Sequence, residues 1–345
     1  MTSLAGRAAR RGDAANLRKW IRRRQHFPVP CGPVDLGSLT AFLAVLVRSG
    51  AGLLPATLGA IVTEKAGVTN LGVEGVMLFG AMSGYAVGYV TGDPLLGILA
   101  ASAAGGLLCV SHALPVVFGR VSQERQFVLG LILVFLGDAL SRLFGAPYAN
   151  HQSTGLDQRL RVPFLADLPV VGEVLFQQRA LIYVAYALAV LLYVVLFKTR
   201  LGLHLRAIGE DPATADSMGI HVDAYRFAAV IMGGMLMGFA GGLFSLSIVQ
   251  TWTDGLIGGR GWIALGLVTF ANWHPLWAIA GTLLFGGFEA AQFRLAAVFP
   301  GAQYLLGIVP YLAPIVTLPL ISRRLSIRRS GAPQALGRPY FREER

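Results

Sequence analysis

The chain has 345 residues, of which 54% are apolar and 14% charged, with a mean hydropathy of +0.61 and a formal net charge of +11. Soluble domains carry about 25% charged residues, so a soluble enzyme, a disordered protein and a disulfide scaffold are all excluded. Most of the 43 glycines lie within apolar stretches, where membrane helices use glycine for close backbone approach, and the predicted class is an all-α polytopic membrane protein.

In chain order, residues 1–37 read as a basic arm, whose first 30 residues carry Arg7, Arg10, Arg11, Arg18, Lys19, Arg22, Arg23 and Arg24 against Asp13. Pro28, Pro30, Gly32 and Pro33 stand where a signal peptide needs a compact apolar run, so the arm is expected to remain on the protein. Basic residues beside spans stay cytoplasmic, and contact with anionic membrane lipid is expected. No nucleic-acid partner is expected, because no aromatic residues interleave the charges.

A span needs about 20 apolar residues. Nine segments approach that length: 38–62, 72–92, 95–118, 127–146, 180–197, 226–247, 258–273, 276–297 and 304–322. Loop 119–126 carries Arg120 and Arg125, and loop 198–225 carries Lys198, Arg200 and Arg206, with Arg226 at its end; both are placed inside. With the N-terminus inside as well, an even number of crossings must precede residue 119. Segment 72–92, which opens in the polar stretch Thr69–Gly75, is therefore expected to be a broken or re-entrant helix, and the other eight segments to cross. Segment 258–273 is the weak member, interrupted by Gly258, Gly259 and Gly261. Residues 147–179 then form an external loop. Residues 323–345, with Arg323, Arg324, Arg328, Arg329, Arg338, Arg342 and Arg345, form a basic cytoplasmic tail.

The two halves echo each other. Gly75–Gly80 and then Asp93-Pro94-Leu95 in the first half match Gly259–Gly266 and then His274-Pro275-Leu276 in the second. Paired interrupted segments in two related halves mark a transport site between structural repeats.

Phosphate-loop, zinc and nucleophile-elbow motifs are absent from the sequence, so neither a catalytic centre nor a cofactor or metal is expected. The ionisable residues within apolar segments are Arg48, Glu64, Lys65, Glu74, His112, Asp138, Arg142, Glu289 and Arg294. Each costs roughly 2.5–3.5 kcal/mol at bilayer depth and so needs a partner or a wet cavity. Asp138 and Arg142 are expected to pair along one helix face, Glu289 to pair inside the bundle, and Arg294 to reach an interface. Asn70 and Glu74, four residues apart, either present an amide and a carboxylate to a polar ligand or satisfy the backbone around the broken helix. In the stretch Arg206–Ile220, Asp211 suits an N-cap, Pro212 a first helical position and Gly219 a left-handed stop, with Gly209 as a hinge. A helix so short needs docking to persist, and a partner's groove is the expected dock.

Val62-Thr63-Glu64-Lys65-Ala66-Gly67-Val68-Thr69-Asn70-Leu71-Gly72-Val73-Glu74-Gly75-Val76-Met77-Leu78 resembles the signature of bacterial ABC-importer permeases for nucleosides. These belong to the group that also serves simple sugars and branched-chain amino acids. Arg206–Ile220 is similar to that group's coupling segment, and Gly259-Arg260-Gly261-Trp262-Ile263-Ala264-Leu265 to its second-half motif. The resemblance covers residues 38–322. It implies a permease subunit in the bacterial cell membrane that pairs with a second homologous permease. It also implies a cytoplasmic ATP-binding subunit and an external substrate-binding lipoprotein. Asn70, Gly72, Glu74, Gly75, Gly261 and Trp262 are the implied pathway candidates; Arg206, Gly209, Glu210, Asp211, Pro212, Ala213, Ala215 and Gly219 are the implied ATPase-coupling residues. Thr214, Met218 and the sequence Ser122-Gln123-Glu124-Arg125-Gln126 depart from the group's pattern. The rival readings are an ion-coupled secondary transporter using Glu74, Asp138 and Glu289 as proton sites, and a membrane-embedded enzyme, which the missing catalytic motifs disfavour.

Overall fold

A computed structural model describes residues 36–149, 151, 170–298, 308 and 331–341. The chain divides into two units, Met1–Ser38 and Leu39–Arg345, and every described helix lies in the second apart from the first residues of α1. The expected arm over residues 1–35, most of segment 304–322 and most of the external loop lie outside the described residues.

Among the described residues every regular element is helical. They are α1 (Leu36–Lys65), α2 (Val73–Thr91), α3 (Pro94–Ala113), α4 (Gln123–Gly145), α5 (Val171–Leu175), α6 (Ala180–Lys198), α7 (Arg200–Glu210), α8 (Pro212–Ser217), α9 (Val222–Leu243), α10 (Arg260–Phe270) and α11 (Pro275–Val298). Widened π turns prolong α3 through Leu114–Phe118 and α9 through Phe244–Ile248. Seven helices, α1 to α4, α6, α9 and α11, are long and apolar enough to cross a membrane, as a polytopic protein requires.

The division of labour between the two interrupted segments differs from expectation. Segment 72–92 contains a regular 19-residue helix, whereas 258–273 holds only the 11-residue α10. The cause is local. Gly258 and Gly259 both take left-handed backbone (φ 59 and 84), which stops any helix short of Arg260, while nothing interrupts α2 until Gly92. Three span-length helices therefore precede residue 119 where charge counting expects two.

Contacts assign the helix ends to faces. The end of α1, the start of α9, the turn after α10 and segment 331–341 are joined by hydrogen bonds from Lys65, Arg226 and Gly331, and this is termed the tail face. On the opposite face, the Tyr85 hydroxyl and the Thr251 hydroxyl (3.1 Å) both donate to the carbonyl of His151. The 27 residues of Leu39–Lys65 rise about 40 Å at 1.5 Å per residue, so Leu39 lies at the face opposite the described tail.

Glycine sets the helix spacing. A Cβ on Gly80 would meet the backbone of Gly238 at 2.6 Å, and one on Gly238 would meet the Gly105 backbone at 2.9 Å, so α2, α3 and α9 touch main chain to main chain. Gly50 stands likewise against Thr282, joining α1 to α11. Without a hydrophobic drive between helices in lipid, this close packing and the dispersion it brings hold the bundle together.

Candidate functional site

Helix α1 ends on Gly67 in the left-handed conformation (φ 82), whose N–H bonds back to the Glu64 carbonyl at 2.8 Å, a glycine helix stop. Residues 66–72 then run without helix, and Ala66–Asn70 are buried throughout. Such backbone is tolerated at membrane depth only if protein satisfies it. Here side chains supply several of the partners. The Arg226 Nε donates to the Ala66 carbonyl (3.2 Å), Gln126 Oε1 accepts from Thr69 N–H (3.1 Å), and His112 Nε2 lies 3.1 Å from the Thr69 carbonyl. Asn70 Oδ1 accepts from Gly72 N–H at 2.8 Å, closing an Asx turn that launches α2.

Glu74, in the first turn of α2, reaches into the other half of the chain. Its Oε1 accepts from Gly259 N–H at 2.8 Å and its Oε2 from Gly261 N–H at 2.7 Å. Gly259 is the N-cap of α10, so this carboxylate supplies the cap that glycine lacks and places negative charge at the helix's positive end. A Cβ on Gly261 would lie 2.5 Å from Glu74 Cα, so glycine is required for the approach. The N-termini of α2 and α10 thus meet at one carboxylate. From there α2 runs toward the His151 face, and α10 runs to the tail face, where Trp273 Nε1 donates to Glu64 Oε2 at 2.5 Å. Gly75 packs on the Leu133–Val134 backbone, putting the junction level with the middle of α4.

Arg260 completes the junction. It pairs with Glu289 of α11, donates through Nη1 to the Ile257 carbonyl (2.9 Å) and lies over the Phe244 ring at 5.1 Å. The expected pairing of Glu289 inside the bundle is therefore met, as is the Asp138–Arg142 pair on α4 at 3.0 Å. The motif Gly259–Leu265 contains Arg260 but does not by itself disclose this role. A lone arginine between two glycines at the head of an apolar segment was the available signal.

Of the six pathway candidates, Asn70, Gly72, Glu74, Gly75 and Gly261 are brought together here. Trp262 follows on the first turn of α10 and is 42% exposed. Among the described residues no group of three or more His, Cys, Asp or Glu is arranged to hold a metal ion.

The coupling candidates occupy the tail face. Asp211 Oδ1 accepts from Ala213 N–H (3.0 Å) and Thr214 N–H (3.3 Å), capping α8 as its position predicts. The Thr214 hydroxyl and these amides hold the Asp211 carboxyl below the usual carboxylate range. Pro212 opens α8, and Gly219 stands two residues beyond its last helical residue with φ 82. Gly209 is not the expected hinge. It lies inside α7, where a Cβ would strike the Lys65 backbone and meet Pro333 at 3.2 Å. Arg206 stacks on Phe197 at 4.8 Å, and Glu210 Oε2 accepts from Gln334 N–H at 3.4 Å. Ala215 is buried against Ile208, Val222 and Tyr340, which docks the six-residue helix within the chain.

The family model described as "Branched-chain amino acid transport system / permease component" matches residues 42–317. The chain is 37% identical over 325 residues to the "Putative glucose ABC transporter permease protein TsgC13" of Haloferax volcanii, covering 87% of this chain and 97% of that one. It is 32% identical over 306 residues to the guanosine ABC transporter permease protein NupQ of Bacillus subtilis, covering 85% and 94%. Against the nucleoside ABC transporter permease protein NupC of Lactococcus lactis, identity is 30% over 323 residues, covering 90% and 99%. No solved structure matches the chain.

Proposed function

Since the chain belongs to the permease-component family of the branched-chain amino acid transport system, we propose that it is the membrane-spanning half of an ABC importer for nucleosides. The observation that carries this reading is the meeting of two helix N-termini, one from each half of the chain, at Glu74 in mid-bundle. Discontinuous helices that present their ends at the bilayer midplane are how transporters build a polar site in lipid. Trp262 beside that junction offers an aromatic face to a planar solute, and Asn70, Gly72, Gly75 and Gly261 shape the surrounding backbone. The chain conducts and does no chemistry of its own.

A second homologous permease completes the conduit, a cytoplasmic ATP-binding subunit supplies energy, and an external binding lipoprotein delivers the solute. Lys198, Arg200 and Arg206 orient the tail face inward. Leu39 then lies at the outward face, and the course of the arm before α1 lies outside the described residues. The capped α8, from Asp211 to Gly219, is the element the ATP-binding subunit grips, with Arg206, Gly209 and Glu210 backing it on α7.

Two experiments test this. Proteoliposomes holding the whole complex should accumulate tritiated guanosine with ATP inside, while the isolated chain under a pH gradient should accumulate none. Uptake by the chain alone would replace this reading with ion-coupled transport through Glu74, Asp138 and Glu289; uptake of glucose in place of guanosine would reassign the solute. In the second, Ala213→Arg on the exposed face of α8 and Gly219→Val at a left-handed position should each lower guanosine taken up per ATP at least tenfold. An unchanged ratio in both would remove the role assigned to α8.

A further inference from the structure

Charge presents residues 323–345 as a basic cytoplasmic tail, and its described part is built into the tail face. Gly331 N–H donates to Asn272 Oδ1 at 2.6 Å, in the turn that follows α10, and the Gly331 carbonyl accepts from Lys65 Nζ at 2.7 Å. Ala335 N–H donates to the Gly209 carbonyl of α7 at 2.9 Å. Gly337 N–H donates to the Gly67 carbonyl at 2.9 Å, where α1 gives way to the unwound stretch, and its own carbonyl accepts from Gln126 Nε2 at 3.1 Å. Arg226 Nη1 donates to the Arg338 carbonyl at 3.3 Å, and Tyr340 is buried beside Ile208, Ala215 and Val222. One short segment therefore bonds to the break in the first half, to the turn closing the interrupted segment of the second half, and to the helix pair α7–α8.

We propose that residues 331–341 are a coupling strap, positioning α7–α8 against both interrupted segments so that displacement of α8 is passed to the Glu74 junction. Two features fit a transmitting part better than a loose end. Every one of these bonds uses a backbone group of the strap, and those to Gly209 and Gly67 are backbone to backbone, fixed in direction at α7 and at the end of α1. Gly337 also holds left-handed backbone (φ 75), and a Cβ there would meet Gln123 at 2.6 Å and Thr69 at 3.0 Å, so its conformation is set by the elements it joins. Helix α8 itself has six residues and cannot hold its shape undocked, so whatever grips it moves the strap through the Ala215–Tyr340 contact.

This inference rests on α8 being the ATPase contact, and its test separates the two. Complexes carrying Gly337→Val, Ala335→Pro, or a chain ending at residue 330 are reconstituted in proteoliposomes beside Ala213→Arg and the parent. ATP hydrolysis, tritiated guanosine uptake and melting temperature are measured on each. The strap predicts ATP hydrolysis within twofold of the parent and guanosine per ATP reduced at least tenfold in the strap variants, with the point variants still assembled. If Ala213→Arg uncouples while the strap variants keep the parental ratio, the strap is overturned and the α8 contact stands. If Ala213→Arg keeps the parental ratio too, the contact falls and the strap with it. Should the truncated chain fail to assemble, the two point variants decide. Failure of all three to assemble overturns the proposal by making the segment a folding element.

Discussion

Glu74→Gln is expected to lower the melting temperature of the solubilised protein by several degrees and to cut uptake at least tenfold. The carboxylate accepts one backbone N–H on each oxygen, from Gly259 and Gly261. Glutamine is close in shape but offers one acceptor, and its amide N–H₂ would face a second N–H donor inside the bundle. A buried donor left unpaired costs about 1–3 kcal/mol. Loss of the negative charge at the head of α10 adds about 0.5–2 kcal/mol in a partly buried setting. Together these come to about 1.5–5 kcal/mol, concentrated where the two halves of the chain meet. Differential scanning fluorimetry and guanosine uptake on the same preparations check both parts. An unaltered melting temperature would show that the clamp carries no stability; lowered stability with normal uptake would leave Glu74 a purely structural tie.

The second large effect lies at Gly238. Its missing side chain lets α9 touch the backbone of α3, while a Cβ on Gly80 of α2 would lie 2.6 Å from its Cα, so an added carbon meets atoms that cannot rotate away. Gly238→Leu should prevent accumulation of folded protein in the membrane, and Gly238→Ala should cost about 1–3 kcal/mol, the usual penalty of overpacking. Gly266 of α10 provides the contrast, since nothing lies within 4 Å of the Cβ position there. Gly266→Ala should be neutral or stabilise by up to about 1 kcal/mol through helix propensity alone. Expression with a fluorescent fusion and size-exclusion profiles distinguish these outcomes, and equal behaviour of the two alanine variants would contradict the packing account.

Legibility in the sequence followed the range of the interactions. Helix α8 could be read residue by residue, because Asp211, Pro212 and Gly219 act on the backbone within a few positions of themselves. Asn70–Gly75 reads as irregular for the same reason, its polar and glycine residues being poor helix interior, but the break lies over residues 66–72 and Val73–Gly75 already belong to α2. Which interrupted segment would be short could not be read. Counting charges decides sidedness, whereas the length of α10 is set by two consecutive left-handed glycines at 258 and 259. Glu74 drew attention as an intramembrane acid, but its partners are the N–H groups of two glycines 185 and 187 residues away, which no side-chain pattern advertises. Gly209 was read as a hinge because glycine serves equally for freedom and for closeness, and only the neighbouring Lys65 backbone tells the two apart. The docking of 331–341 was invisible on the same ground, since the amides of Ala335 and Gly337 are chemically those of any residue.

The main-chain contact among α2, α3 and α9 also bears on how a conduit of this kind can alternate. Surfaces that interlock atom against atom at Gly80, Gly105 and Gly238 leave no slack for sliding, so these three rods must travel as one block. Whatever opens and shuts has to be hinged at the periphery of that block. Deuterium labelling should accordingly find the amides near Gly238 among the slowest to exchange in the whole molecule, and those of the stubby α10 among the fastest.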